Sequence, residues 1–223
     1  MIAEDVLLLL VDDRTGRFLV DSTRLDNVLA GAVLVELVTI ERVGFPPAGG
    51  GVRRGRMVVV NPTPPGDPVL DHALATVAAS RPAKPEKLIA KLRKRLRATL
   101  LERLTAAGAL RRSTRKVMGI LPRTTWAAVD SSRKRELRAR LQDVLVAGAT
   151  PDGRTAALVS LLLAVNAAHR VVDGEKKAVQ ARAKDIAAGD WAGAAVKKAI
   201  DAVNASIVIV IAAGAAGAGG SSS

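Results

Sequence analysis

The sequence predicts a mostly α protein, a single compact helical domain around two buried helices with short β-hairpins. Apolar residues make up 49% of the chain but aromatic residues only 2%, and an excess of Ala and Leu favours helix. Two runs, LAGAVLVELV at 29–38 and TAALVSLLLAVNAA at 155–168, are apolar on nearly every side, which is typical of buried helices. Gly and Pro gather between residues 41 and 68, where they indicate turns and short extended segments.

Turn residues divide the rest of the chain into elements. Asp13 to Arg17 is a turn, Gly108 takes the left-handed position that ends a basic helix, and Pro151 and Gly153 mark a turn before the second buried helix. In chain order we predict helices over 4–12, 25–39, 69–80, 84–107, 131–148, 154–169, 174–188 and 192–213. We predict hairpins over 41–61 and 109–129. The domain covers 1–213, and a flexible Gly/Ala/Ser tail follows over 214–223.

The first buried helix contains one conspicuous charge. Asp21 or Ser22 is placed to cap this helix, and Glu36 lies inside its apolar run. A buried carboxylate needs a partner, so we predict that Glu36 pairs with a neighbouring arginine and has no catalytic role.

Positive charge is concentrated in one region. The formal net charge is +13, yet residues 81–140 hold 19 Lys and Arg against four acids, which is +15 there and about −2 elsewhere. Such clustering indicates an anionic partner: lipid headgroups, nucleic acid or acidic peptide. In the predicted helix 84–107, Lys94 and Arg97 lie on the basic side, and an apolar stretch with basic neighbours follows at 117–121. This combination suits the cytoplasmic face of a membrane.

Enzymatic chemistry finds no support in the motifs. The chain has no cysteine, and its two histidines, His72 and His169, are too far apart for metal-ligand spacing, so we expect no cofactor and no metal. Nucleic-acid binding is disfavoured because aromatic stacking platforms are scarce and the basic helix leads into a hairpin. The N-terminal acids Glu4 and Asp5 argue against a signal peptide, and the apolar core of the C-terminal segment, 207–213, is short for a membrane span.

Several stretches together identify a family likeness. They are LLLLVDDRTGRFLVD (7–21), LAGAVLVELV (29–38), LRKRLRATLLERLTAAGAL (92–110), VMGILPRTTW (117–126) and LRARLQDVLVAGATPDGRTAALVSLLLA (137–164). In this order the chain resembles the Golgi phosphoprotein 3 family, in a prokaryotic, actinobacterial version. The resemblance implies a helical domain with short hairpins. In eukaryotic members it also implies binding of phosphatidylinositol 4-phosphate on Golgi membranes, retention of glycosyltransferases through their cytoplasmic tails, and contact with the vesicle coat.

The resemblance also assigns site residues. Lys94 and Arg97 match the helix arginines of the family's headgroup pocket, and their i, i+3 spacing predicts one shared helix face. Two departures stand out: Ala30 occupies the position of a pocket arginine, and Asp21 lies near that of a pocket tryptophan. The expected headgroup-binding residues are Lys94, Arg97, Arg24 and Arg93, and the expected membrane-inserting hairpin residues are Val117, Met118, Ile120 and Leu121, with Trp126 as an interfacial anchor.

These observations predict a non-catalytic peripheral membrane protein on the cytoplasmic face of a membrane. It would bind anionic or phosphorylated lipid headgroups, with phosphatidylinositol 4-phosphate among them. The alternative is a soluble adaptor module whose basic face binds acidic peptides or the tails of membrane enzymes. Non-specific nucleic-acid binding comes third, and the oligomeric state is open.

Overall fold

A computed structural model of the chain describes residues 1–46, 52–117, 121–129 and 132–218. The described residues form nine α-helices, one short 3-10 helix and two small antiparallel sheets, which confirms the mostly α prediction. The helices are α1 (Ile2–Leu9), α2 (Ser22–Thr39), α3 (Pro68–Ala78), α4 (Pro85–Leu92), α5 (Leu96–Ala106), α6 (Ser132–Leu145), α7 (Gly153–Ala164), α8 (Lys176–Ala188) and α9 (Ala194–Ala218); the 3-10 helix is Ala168–Arg170; the strands are β1 (Val43–Gly44), β2 (Val58–Val59), β3 (Leu110–Val117) and β4 (Leu121–Ala128).

Helix α2 is the centre of the fold. It packs against α1, α3, α4, α5, α7 and α9, and nearly all of its residues after Asp26 are buried. Its N-cap is Asp21, whose carboxylate accepts a hydrogen bond from the backbone N–H of Arg24 at 2.9 Å. Gly31 allows α9 to approach closely, because a Cβ there would lie 2.5 Å from Cδ1 of Ile207. The predicted cap and the predicted burial of this helix are both confirmed.

Glu36 is paired as the sequence predicts. Its carboxylate lies 3.3 Å from a guanidinium nitrogen of Arg154, which also binds the buried carboxylate of Asp5 at 2.8 Å. Asp5 in turn binds Arg133 at 2.7 Å. These bonds tie α1 to α2, α6 and α7, so the carboxylates of α1 have a structural role.

The prediction of one continuous basic helix over 84–107 is wrong, because the helix is interrupted in its middle. A turn over residues 93–95 separates α4 from α5, and Arg95 there has a left-handed φ of 60°. Leu92 before the turn and Leu96 after it are both buried, α4 packs on α2 and α9, and α5 packs on α1 and α2. The break therefore lets α4 pack on α9 while α5 packs on α1, and this packing outweighs the roughly 1–2 kcal/mol cost of a left-handed residue. Gly108, with φ of +71°, follows the end of α5 as predicted.

The two predicted hairpins differ in extent. The first is reduced to the pairing of Val43–Gly44 with Val58–Val59, and its predicted turn at 49–51 lies outside the described residues. The second is confirmed, since β3 and β4 pair along their whole length. The backbone N–H of Trp126 on β4 donates to the carbonyl of Gly16 at 2.8 Å, which fixes the hairpin to the turn after α1.

The C-terminal helix is longer than predicted. Helix α9 continues to Ala218 instead of ending at 213, so part of the expected tail is helical, and residues 219–223 lie outside the described range. None of the described helices combines the length and the apolar character that crossing a bilayer requires.

Candidate functional site

Three consecutive cations occupy the turn between α4 and α5. Arg93, Lys94 and Arg95 are all exposed. Arg95 is also the N-cap of α5 and makes no side-chain capping bond, so the first N–H groups of α5 add partial positive charge to the same place. The turn is therefore an exposed segment with a high density of positive charge.

Arg97 follows in the first turn of α5, but an acid lies against it. Its Nε is 3.2 Å from a carboxylate oxygen of Asp26 on α2. Burial raises the pKa of Asp26, although the nearby charges of Arg97 and Arg93 oppose this shift. Arg24, on the same part of α2, pairs with Asp21 at 2.7 Å, and both side chains are about half exposed. We call Asp26, Arg93 and Arg97, with the adjacent pair Asp21–Arg24, the Asp26 cluster.

Lys94 does not share a helix face with Arg97, so that prediction is wrong. Lys94 precedes α5 and lines a cavity of about 590 Å³ between α3 and α5, whereas Arg97 is not part of the cavity lining. The break at Arg95 removes the continuous helical spacing on which the prediction depended. The structure thus divides the four expected headgroup cations, with three in the Asp26 cluster and Lys94 at the cavity.

The two departures from the family pattern have structural roles of their own. Ala30 is fully buried in α2, where its small side chain faces the core. Asp21 caps α2. Neither position supplies a cation or an aromatic ring to the site.

The expected inserting hairpin is described only in part. Val117 and Leu121 are cross-strand partners at the last pair before the tip, while Met118 and Ile120 lie outside the described residues. Trp126 pairs with Arg112, well back from the tip, and its ring is partly buried against the core. Its position is therefore at the base of the hairpin.

Sequence reasoning missed Asp26 and the cavity. Asp26 falls in the first turns of α2, where an acid is ordinary for helix-dipole reasons, so its contact with Arg97, far away in sequence, leaves no local signal. The cavity depends on the bend between α4 and α5. The run Arg93-Lys94-Arg95 gives no signal of this bend, because three adjacent residues span about 200° of a straight helix and leave Leu92 and Leu96 together on the buried side.

Comparison with protein families gives one clear result. The model of the family described as Golgi phosphoprotein 3 (GPP34) matches residues 2–203, nearly the whole chain. A search of curated proteins finds no match.

Proposed function

Since the chain belongs to the Golgi phosphoprotein 3 family, we propose that it is a peripheral membrane protein that binds anionic and phosphorylated lipid headgroups. The family is one of non-enzymatic adaptors, and we extend that property to this chain. The observation that carries the proposal is the exposed turn of Arg93, Lys94 and Arg95, which lies directly before Arg97 of the Asp26 cluster.

The headgroup part of the proposal depends on charge. Cations near an anionic surface contribute roughly 1 kcal/mol each, within about one Debye length of it. Arg93 and Lys94 are exposed, and Arg24 and Arg97 keep a substantial exposed fraction beside their acidic partners. A monoester phosphate such as that of phosphatidylinositol 4-phosphate offers several oxygens and a double charge to these donors, which places this lipid among the proposed ligands.

The apolar part of the proposal is the hairpin β3–β4. The strands end at Val117 and Leu121, and the sequence between them supplies Met118 and Ile120. Partial burial of such side chains in a bilayer adds a few kcal/mol. Together with the cations this gives weak, reversible attachment to the cytoplasmic face of a membrane.

Vesicle co-sedimentation tests both parts. The wild-type protein is compared on vesicles of phosphatidylcholine alone, with phosphatidylserine, and with phosphatidylinositol 4-phosphate, at low salt and at about 0.15 M salt. We expect binding to both anionic vesicles and none to the neutral ones. Failure to bind any of the vesicles would contradict the proposal and favour an adaptor that binds acidic peptides.

Matched variants separate the contributions. Lys94→Gln/Arg97→Gln should weaken binding about 30-fold if each cation contributes roughly 1 kcal/mol. Lys176→Gln/Lys177→Gln removes the same charge from exposed positions at the start of α8 and should have a much smaller effect. Leu121→Asp should abolish binding if the hairpin enters the bilayer. Binding of Leu121→Asp at the wild-type level would exclude insertion while leaving the electrostatic part intact.

A further inference from the structure

We propose that the cavity between α3 and α5 binds a single-chain amphiphile that has one anionic end, such as a long-chain carboxylate or an alkyl phosphate. This inference goes beyond attachment to a bilayer surface, because the ligand would enter the protein as a monomer. Arg97 and Asp26 are not part of the cavity lining, so the site is distinct from the Asp26 cluster.

The interior of the cavity is apolar. Its volume of about 590 Å³ falls within the usual size of small-molecule sites, roughly 300–1,000 Å³. Side chains from four helices form its walls. Val69, Leu92 and Leu96 among them keep 7–8% exposure, whereas the neighbouring wall residue Val33 is at 0%. Solvent therefore reaches apolar surface here that an alkyl chain could cover. The apolar lining residues are Val33 of α2, Pro68, Val69 and Ala73 of α3, Leu92 of α4 and Leu96 of α5.

The available positive charge lies at the rim. Lys94 and Arg95 line the cavity and are exposed, and neither forms an ion pair within the part of the chain that the structure describes. Arg103 also lines the cavity, but its guanidinium donates two hydrogen bonds of 2.8 Å to Asp67. It also lies 3.2 Å from Glu4, so its charge is already matched.

This separation of properties defines the ligand. A purely apolar molecule would make no use of the charges of Lys94 and Arg95, and a small anion would leave the apolar walls in contact with water. A chain with an anionic end satisfies both. Thr99 and His72 also line the cavity and add hydrogen-bonding groups to its wall.

Isothermal titration calorimetry tests the proposal with defined probes, each below its micelle concentration and without vesicles. Dodecanoate and dodecyl phosphate should bind with one site, and the tighter of the two identifies the preferred anionic end. Decanoate should bind roughly fifteenfold more weakly than dodecanoate, because it lacks two methylenes and each buried methylene is worth about fourfold. Dodecanol should bind more weakly than either anion, and inorganic phosphate should not bind measurably. Inorganic phosphate that binds as tightly as dodecyl phosphate, or failure of both twelve-carbon anions to bind, would overturn the proposal.

Two adjacent positions on α5 provide a matched pair of variants. Thr99 and Ala98 are both exposed, but only Thr99 lines the cavity. Thr99→Trp should fill the mouth and weaken dodecanoate binding at least tenfold, while Ala98→Trp should bind as the wild type does. Equal behaviour of the two variants, with unchanged circular dichroism, would place the ligand elsewhere.

The rim charges are tested separately. In Lys94→Gln/Arg95→Asn, asparagine tolerates the left-handed backbone at residue 95. This variant should lose at least tenfold in dodecanoate affinity and keep its dodecanol affinity, and an unchanged dodecanoate affinity would refute the role of the rim. Vesicle binding distinguishes this site from the proposed function, because Thr99→Trp should still bind anionic vesicles.

Discussion

Asp26 offers a gain-of-function test of the proposed headgroup site. Its carboxylate lies 3.2 Å from Nε of Arg97 and cancels part of that cation's charge. Asp26→Asn keeps the shape of the side chain and removes the negative charge. We expect the variant to bind anionic vesicles more tightly than the wild-type protein.

The magnitude follows from the charge change. Removing one negative charge near an anionic surface is equivalent to adding one cation, which is worth about 1 kcal/mol or roughly fivefold in affinity. The cost to folding should be small. Asp26 and Arg97 keep 28% and 32% of their side-chain exposure, and partly exposed ion pairs contribute about 1 kcal/mol or less. Burial also raises the pKa of Asp26, which means that the fold already disfavours its charged form.

Vesicle co-sedimentation at about 0.15 M salt measures the effect, with Asp185→Asn as the control. Asp185 is an exposed acid on α8, so its replacement changes the net charge equally at a different place. A fivefold gain confined to Asp26→Asn would place Arg97 at the membrane. An equal gain in both variants would show that only net charge matters, and no gain in either would refute the reasoning about Asp26.

Three further predictions concern the core and its buried charges. Gly31→Ala should lower the free energy of unfolding by about 1–3 kcal/mol, because the new Cβ would lie 2.5 Å from Cδ1 of Ile207. Urea denaturation should show partial rescue in Gly31→Ala/Ile207→Val, and a doubly mutated protein as unstable as the sum of the single variants would contradict this contact. In the same assay, Arg154→Met should lower the free energy of unfolding by about 1–3 kcal/mol, because it leaves carboxylate oxygens of Asp5 and Glu36 without an ion pair. A decrease below about 0.5 kcal/mol would mean that Arg133 alone satisfies Asp5. Burial lowers the pKa of Lys134 below its ordinary value of 10.5, so the unfolded chain holds this proton more tightly than the folded one. The stability of the wild type relative to Lys134→Met should therefore rise as the pH increases toward 10.5, and parallel stability curves for the two proteins would exclude this linkage.

The burial of α2 and the ion pair of Glu36 could be predicted from the local pattern of apolar and charged residues. The helix α2 is apolar on nearly every side, so its central position followed from the sequence, and Glu36 within it required a cation. Arg154 met that requirement from α7, although the sequence did not say which arginine it would be.

The shape of the basic region could not be predicted in the same way. The leucine spacing over 84–107 fits one continuous helix, because Leu92 and Leu96 are four residues apart and lie on one face. The two halves of this segment pack on different partners, α4 on α9 and α5 on α1, and the chain turns at Arg95 between them. Those partners are helices distant in sequence. The bend separates Lys94 from the helix face of Arg97. It also places Lys94 and Arg95 in the lining of the cavity.

The chemistry of α2 determines how selective the proposed headgroup site can be. Ala30 is buried, Asp26 supplies an acid, and Arg24, the cation of α2, is already paired with Asp21, so α2 offers no unmatched cation. The charge of the site then comes chiefly from the turn at residues 93–95. Its exposed, long side chains are attracted to the total negative charge of a membrane surface and are not fixed in one geometry around a particular headgroup. We therefore expect phosphatidylinositol 4-phosphate and phosphatidylserine vesicles of equal total charge to bind within about fivefold of each other, a difference of roughly 1 kcal/mol. Co-sedimentation at matched charge measures this ratio. A preference of a hundredfold for the phosphoinositide would mean that the turn and Arg97 close around the phosphate as a preorganised pocket.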